Sequence, residues 1–183
     1  MDINQIYKIN SFYNEEERRN FLTLIEHFVW EYVGFSHNPN NMTFWQKNMW
    51  KHPKFGSCLE IEETNRQKLE TLFGVKLETQ RMYLNGQTHG QSGQLHSDVI
   101  SKTEEDKFND YITLVYYAND SWSPEYGGST MIIDNENNIH SCYPEPNSAV
   151  VFNSRFPHVG LEPTIHYKNM RVTLAHKFKM LKD

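Results

Sequence analysis

From Lys76 onward the chain is a succession of short runs of β-forming residues, each closed by turn residues. The runs are Lys76 to Leu84, Tyr111 to Ala118, Ser129 to Asp134, Ala149 to Asn153 and Val172 to Phe178. Turn signals stand at Asn85-Gly86, Gly90 to Gly93, Asn119-Asp120, Gly127-Gly128, Asp134 to Asn138 and Pro144 to Asn147. This texture excludes alternating β and α units and predicts a mostly antiparallel arrangement. About a hundred such residues behind a helical start predict an α+β chain, mainly β with N-terminal helices, whose core is a double-sheet jelly roll.

The helical start reads from two segments. Phe21, Leu24 or Ile25, Phe28 and Tyr32 recur at three- and four-residue spacing, which predicts an amphipathic helix from Asn14 to Val33. Asn14 and Glu17 have capping-box spacing, and Gly34 offers the stop. A shorter helix is expected from Glu62 to Phe73, stopped by Gly74. Between them, Ser36 to Ser57 is rich in Asn and Pro and reads as an irregular covering segment carrying Phe44, Trp45, Met49 and Trp50. The expected organisation is therefore one domain, 1–183, with 1–75 as helical support and covering segment and 76–183 as the jelly-roll core.

Composition removes several function classes. Eighteen Lys+Arg against twenty-three Asp+Glu give a net charge of -5, so no bulk positive field favours nucleic acid or anionic lipid. Cys58 and Cys142 are too far apart in sequence for a disulfide framework or a Cys-x-x-Cys metal knuckle, and a reducing cytoplasmic interior suits them. No stretch approaches a membrane-spanning length of apolar residues, and the start does not read as a secretory signal.

Nine histidines remain, and two of them point to a metal. In an extended segment, residues i and i+2 share a face, so His96 and Asp98 present an imidazole and a carboxylate together. One distant imidazole would complete a two-His-one-carboxylate triad, which leaves adjacent positions open on Fe(II). His158, which follows Val150-Val-Phe-Asn-Ser-Arg-Phe-Pro157, a strand-like run that ends in a turn, is the best candidate. Arg171 opens the last β run with Thr173 on its face, and an inward guanidinium there calls for an anion such as a ligand carboxylate.

The ordered set His96-x-Asp98, His158, Arg171-x-Thr173 resembles the Fe(II)- and 2-oxoglutarate-dependent dioxygenases. Its surroundings look like the prolyl 4-hydroxylase branch. Tyr83-Leu-Asn-Gly86 is similar to the Tyr-x-x-Gly ahead of that branch's His-x-Asp. Tyr111 to Asp120, Trp122 and Gly127-Gly128 resemble its strand, turn and double-Gly re-entry, and Pro144 to Phe152 its delivery of the distal His. The resemblance spans roughly Leu77 to Phe178 and implies that His96, Asp98 and His158 bind Fe(II). It further implies that Arg171 grips the far carboxylate of 2-oxoglutarate, that Tyr117 donates to that carboxylate with Thr113 on its face, and that Tyr83 lies near the metal end. The implied reaction consumes O₂, releases succinate and CO₂ and hydroxylates an unactivated C–H bond, with ascorbate as a candidate reductant. The spacing from His158 to Arg171 exceeds what is usual in the branch, so Glu162 to Asn169 is expected to form an enlarged hairpin, with Lys168 as the alternative anchor.

The other histidines read differently. His27, His37, His52, His140 and His166 look solvated or locally bonded, His176 an interior polar group, and His89 a candidate substrate contact. Val99 to Asp110 is expected to act as a lid. The leading substrate is a prolyl residue in a peptide or protein. The alternatives are a free amino acid or other small metabolite, and a jelly-roll metal- or ligand-binding protein without turnover. Nucleic-acid demethylation is disfavoured by the charge and by Lys177, which stands where that branch places a second arginine.

Overall fold

The structure is a computed structural model, and it describes residues 2–35, 43–49, 56–98 and 110–181. In chain order the elements are β1 (Tyr7–Ile9), α1 (Glu15–Glu26), β2 (Glu31–Gly34), β3 (Phe44–Asn48), α2 (Gly56–Phe73) and β4 (Lys76–Gln87). They continue as β5 (Tyr111–Tyr117), β6 (Thr130–Ile133), β7 (Ile139–Cys142), β8 (Ala149–Asn153), β9 (His158–Gly160) and β10 (Arg171–Leu181). Seven strands make one sheet, in the order β1-β8-β5-β10-β4-β3-β2, and three make another, β7-β6-β9. The pairings are antiparallel, and the fold is the mostly β jelly roll expected, with helices outside the larger sheet.

Alternation along the middle strands decides which side chains reach the interior of the roll. Ile112, Leu114 and Tyr116 on β5, Met82 and Leu84 on β4, and Leu174 and Phe178 on β10 join one apolar cluster with Phe21 of α1 and Leu69 of α2. Full burial of each such side chain contributes about 1.5–3 kcal/mol. Val115 and Tyr117 on β5 and Val150 and Phe152 on β8 face the other way, toward Ile132 of the small sheet. The polar residues interleaved with the first set, among them Thr113, Tyr83, Asn85, Arg171 and Thr173, therefore face the same interior.

Helix α1 begins at the expected capping box: Asn14 Oδ1 accepts from Glu17 N at 2.9 Å, and Glu17 Oε2 accepts from Asn14 N at 2.8 Å. It stops at Glu26, earlier than the predicted Val33. Residues 31–34 form β2 instead, and Tyr32 and Val33 are exposed, so the apolar period ends at the buried Phe28. Gly34 is accordingly a strand residue opposite Phe44 rather than a helix stop. Helix α2 ends before Gly74 as expected but starts at Gly56, before the predicted Glu62.

Three further expectations are corrected. The covering segment contains β3, which pairs with β4. Asn85-Gly86 is not a turn: β4 runs through it with β3 on one side and β10 on the other. A Cβ on Gly86 would lie 2.2 Å from Met170 Sδ, so the Met170 side chain packs over this glycine. Glu162 to Asn169 is not a hairpin, since β9 and β10 belong to different sheets, and the segment crosses between them. Thr164 anchors the crossing through Tyr126 O and Glu125 O, and the Tyr167 ring packs at a tilt against Trp122 and Tyr126. The strands β1, β7 and β9 were not expected, because each is only three or four residues long. Trp50, His37, His52 and residues 99–109, where the lid was expected, lie outside the described residues.

Candidate active site

His96 and His158 are brought together by a two-residue antiparallel bridge, with His96 N donating to His158 O at 3.0 Å and His158 N to His96 O at 2.8 Å. Asp98 is held two residues on by its own N–H, which donates to Ser154 O at 2.9 Å. One ligand atom from each of the three lies within 4.8 Å of the others. His96 Nε2 is 3.9 Å from Asp98 Oδ1, and His158 Nε2 is 3.6 Å from Asp98 Oδ2.

The donor set fits a divalent metal ion. His96 Nδ1 faces Gln94 O at 2.8 Å and His158 Nδ1 faces Phe156 O at 2.9 Å, so each Nδ1–H donates to a carbonyl and each Nε2 keeps its lone pair toward Asp98. Burial holds His158 below the ordinary histidine range against the opposing pull of Asp98, which keeps the imidazole neutral. Burial alone would raise the Asp98 carboxyl. The pull of His158 when protonated, the Thr113 hydroxyl, Lys177 and the pull of His96 when protonated outweigh it and hold the group below its usual range.

Arg171 marks the inner end of the site. It is 1% exposed, yet each hydrogen bond it makes goes to a neutral acceptor: Nε to Gly128 O at 2.6 Å, Nη1 to Gln87 Oε1 at 2.8 Å and Nη2 to Thr130 Oγ1 at 3.1 Å. Among the described residues no carboxylate pairs with it. Burial lowers its pKa to about 10, so it remains cationic at neutral pH. A buried guanidinium whose charge meets no anion is a receptor for one. Lys168, the alternative anchor, is exposed in the crossing segment and does not line the site.

A cavity of about 300 Å³ joins the two ends. His96, Asp98, His158, Arg171, Thr173, Tyr83 and Thr113 all line it, so the fold gathers seven of the eight predicted site residues. Two of the eight are used in ways the sequence did not suggest. Thr113 Oγ1 donates to Asp98 Oδ2 at 2.7 Å, which makes it a support for the metal-ligating carboxylate. Tyr117, expected to touch the co-substrate, does not line the cavity. Its ring lies 5.8 Å from Arg171 Cζ, and its hydroxyl donates to Cys142 O at 3.2 Å. Burial, more than the Asp98 charge, pushes the Tyr83 hydroxyl up, so it stays protonated and available as a donor.

Several contributors were not visible in the sequence. Gln87 orients Arg171: its Nε2 donates to Gln91 O at 2.9 Å and Gly160 O at 3.0 Å, which leaves Oε1 for the guanidinium. Gly128 lies at φ 72 with its carbonyl on Arg171, and a Cβ there would lie 2.9 Å from Trp122 Cζ2 and 3.0 Å from Arg171 Cδ. The predicted double-Gly turn signalled this position but not its purpose. Ser154 shares a 2.8 Å hydrogen bond with Thr113, and Lys177 Nζ donates to Asp98 O. His89, the candidate substrate contact, points at Pro163 O instead, at 3.2 Å. His176 is an interior polar group as expected, bonded to Asn65 and Thr79.

Three side chains able to hold a metal ion and a buried arginine thus share one jelly-roll cavity. The chain belongs to the 2OG-Fe(II) oxygenase superfamily, whose family description matches residues 79–178. Membership implies Fe(II), 2-oxoglutarate and O₂ as its reactants and cofactor. No curated protein matches the chain. Solved structures share its fold. A prolyl hydroxylase from Trichoplax adhaerens, in complex with a hypoxia inducible factor peptide fragment, is 16% identical with a TM-score of 0.71, over 97% of this chain and 84% of that one. A prolyl-4-hydroxylase from Pseudomonas putida is 15% identical with a TM-score of 0.67, over 97% and 93%. HygX from Streptomyces hygroscopicus, with nickel, 2-oxoglutarate and hygromycin B bound, is 14% identical with a TM-score of 0.67, over 97% and 83%.

Proposed function

We propose that this chain, acting as one domain, is a 2-oxoglutarate-dependent hydroxylase of a prolyl residue in a peptide or protein, releasing succinate and CO₂. The observation that carries the reading is a single cavity with a three-ligand cluster on its wall and, at its inner end, a buried guanidinium that meets no carboxylate among the described residues. In this reading His96, Asp98 and His158 hold Fe(II). Arg171 and the Thr173 hydroxyl receive the far carboxylate of 2-oxoglutarate. Two neutral imidazoles and one carboxylate cancel only one charge of the metal, which leaves the site attractive to a dianion.

Fe(II), when bound with 2-oxoglutarate, supplies O₂ activation and the oxidation of the C–H bond. The protein does the rest by position. Thr113 and Ser154 lock the Asp98 carboxylate, the Gln94 and Phe156 carbonyls lock the two imidazoles, and Gln87, Gly128 and Thr130 lock Arg171. Tyr83 offers its retained proton as a hydrogen bond near the metal end. Tyr117 acts behind Arg171 rather than on the ligand.

The prolyl assignment is supported by the fold shared with two prolyl hydroxylases and by the Tyr83 to Gly86 and Tyr111 to Asp120 signatures. A second reading, a small-metabolite substrate, is favoured by the comparable likeness to a protein whose structure holds hygromycin B. Anaerobic addition of Fe(II) and 2-oxoglutarate should produce the weak visible charge-transfer band of the chelate, and His96→Ala should abolish it. Mass spectrometry of prolyl peptides against free amino acids then separates the substrates. Failure to form succinate with any substrate would leave a binding protein. Ascorbate would sustain turnover as an external reductant. Cytoplasmic residence is consistent with the two free thiols, and among the described residues no helix is long and apolar enough to cross a membrane.

A further inference from the structure

The metal ligands, Arg171 and Tyr83 account for much of the cavity wall, but Arg81 lines it too and has no part in that chemistry. On β4 the cavity-facing positions run Gln87, Asn85, Tyr83, Arg81, and their partners on β10 run Arg171, Thr173, Ala175, Lys177. Arg81 thus lies at the opposite end of the row from Arg171. Thr113, which holds Asp98, pairs with Lys177 at that same end. A co-substrate spanning from Arg171 to the metal leaves Arg81 on the side from which a substrate must come.

Three observations distinguish Arg81 from an ordinary surface cation. Its guanidinium is seated over the Tyr83 ring, with Cζ 4.2 Å from the centroid, so its fork is oriented before any ligand arrives. Among the described residues it has no hydrogen bond and no carboxylate at ion-pair distance, whereas its ladder partner Lys177 donates to Asp98 O. The charges of the loaded site also leave it over. Fe(II) with Asp98 and two neutral imidazoles carries one net positive charge, 2-oxoglutarate two negative charges, and Arg171 one positive charge, which sum to zero; Lys177, which donates to Asp98 O, and Arg81 then add positive charge. Phe35, Phe44 and Gln46 also line the cavity; Gln46 lies beside Asn85, to which its amide donates at 3.2 Å, and Phe44 lies toward the Gln87 end of the row.

The geometry points to a substrate that carries a carboxylate, gripped by Arg81 where its guanidinium rests on the Tyr83 ring and lines the cavity. This inference rests on the hydroxylase reading above and narrows its substrate class. The carboxylate can be that of a free imino or amino acid, or an acidic residue next to the hydroxylated position of a peptide.

The test uses the full chain loaded with Zn(II) and 2-oxoglutarate, which is redox-inert, and measures binding calorimetrically for two matched pairs. One pair is L-proline and L-prolinamide. The other is acetyl-Ala-Pro-Asp-amide and acetyl-Ala-Pro-Asn-amide. In at least one pair the carboxylate member should bind about ten-fold tighter, and the preferred pair tells a free acid from a peptide. Arg81→Gln should remove that preference, Arg81→Lys should retain part of it, and neither should change the affinity for 2-oxoglutarate. The inference is overturned if the wild type shows no carboxylate preference in either pair, if the preference survives in Arg81→Gln, or if Arg81→Gln weakens 2-oxoglutarate binding ten-fold. Failure of the wild type to bind 2-oxoglutarate is a separate outcome that refutes the hydroxylase reading itself, and this inference with it.

Discussion

Replacing Gln87 by glutamate tests why a buried arginine here is surrounded by neutral acceptors. Gln87 is 3% exposed, and its amide is fully directed: Nε2 donates to two carbonyls and Oε1 accepts from Arg171 Nη1 at 2.8 Å. The substitution changes one atom type, so packing is preserved, but it places a carboxylate on the guanidinium before the ligand arrives. Two carboxylates flanking one guanidinium stand roughly 5–6 Å apart, and at an effective dielectric constant near 20 their repulsion is about 3 kcal/mol. That predicts an affinity for 2-oxoglutarate about a hundred-fold weaker. The loss of the two amide donors should also lower stability by about 1–3 kcal/mol, because the Gln91 and Gly160 carbonyls lose their partner. The assay is anaerobic titration of the Fe(II)-loaded variant with 2-oxoglutarate, followed at the chelate band, with urea unfolding in parallel to show that the variant is folded. A folded Gln87→Glu protein that binds 2-oxoglutarate within three-fold of wild type would refute the idea that Arg171 is kept unpaired for the ligand.

Thr113→Val keeps the shape of the side chain and removes the hydroxyl from Asp98, so metal affinity measured by chelator competition should fall about ten- to a hundred-fold. Gly128→Ala should cost about 1–3 kcal/mol in urea unfolding, since the residue sits at φ 72 and its new methyl meets Trp122 and Arg171, and 2-oxoglutarate binding should weaken with it. His176 titrates in the opposite sense from a paired surface histidine. Burial holds its pKa well below the ordinary value, so below about pH 6.5 the unfolded chain takes up a proton that the folded one refuses. Stability is therefore complete above that pH and falls by about 1.4 kcal/mol per unit as pH drops below it, or about 2 kcal/mol by pH 5. Unfolding measured from pH 7.5 to 5 should show a steeper slope in wild type than in His176→Gln, which keeps only the contribution of groups such as His158, and equal slopes would remove His176 from the acid response.

What was legible in the sequence was whatever depends on near neighbours. His96-x-Asp98 works at i and i+2, the capping box works at Asn14 and Glu17, and the apolar alternation of Tyr111 to Ala118 is a property of one strand. These are set by backbone period, which a linear reading can follow. The helix that was drawn through Tyr32 shows the limit, because a helical period and a short exposed strand look alike until β3 is found beside it. The same limit hid Asn85-Gly86 inside β4, where turn chemistry was overridden by two flanking strands.

The sequence by itself determined the ingredients: a β-rich core, two imidazoles and a carboxylate able to share a face, and an arginine on the last strand with a reason to meet an anion. Only the tertiary structure decided how they are supported and what surrounds them. Thr113 serves Asp98 and Tyr117 stands behind Arg171 because the β5 register against β8 and β10 sets their neighbours. Gln87 meets Arg171 because β4 and β10 pair at that position, and Phe35, Phe44 and Arg81 share a cavity because β2 and β3 join the same sheet. Cross-strand register is a contact between residues far apart in the chain, fixed by the collective burial of many side chains, and no local pattern encodes it.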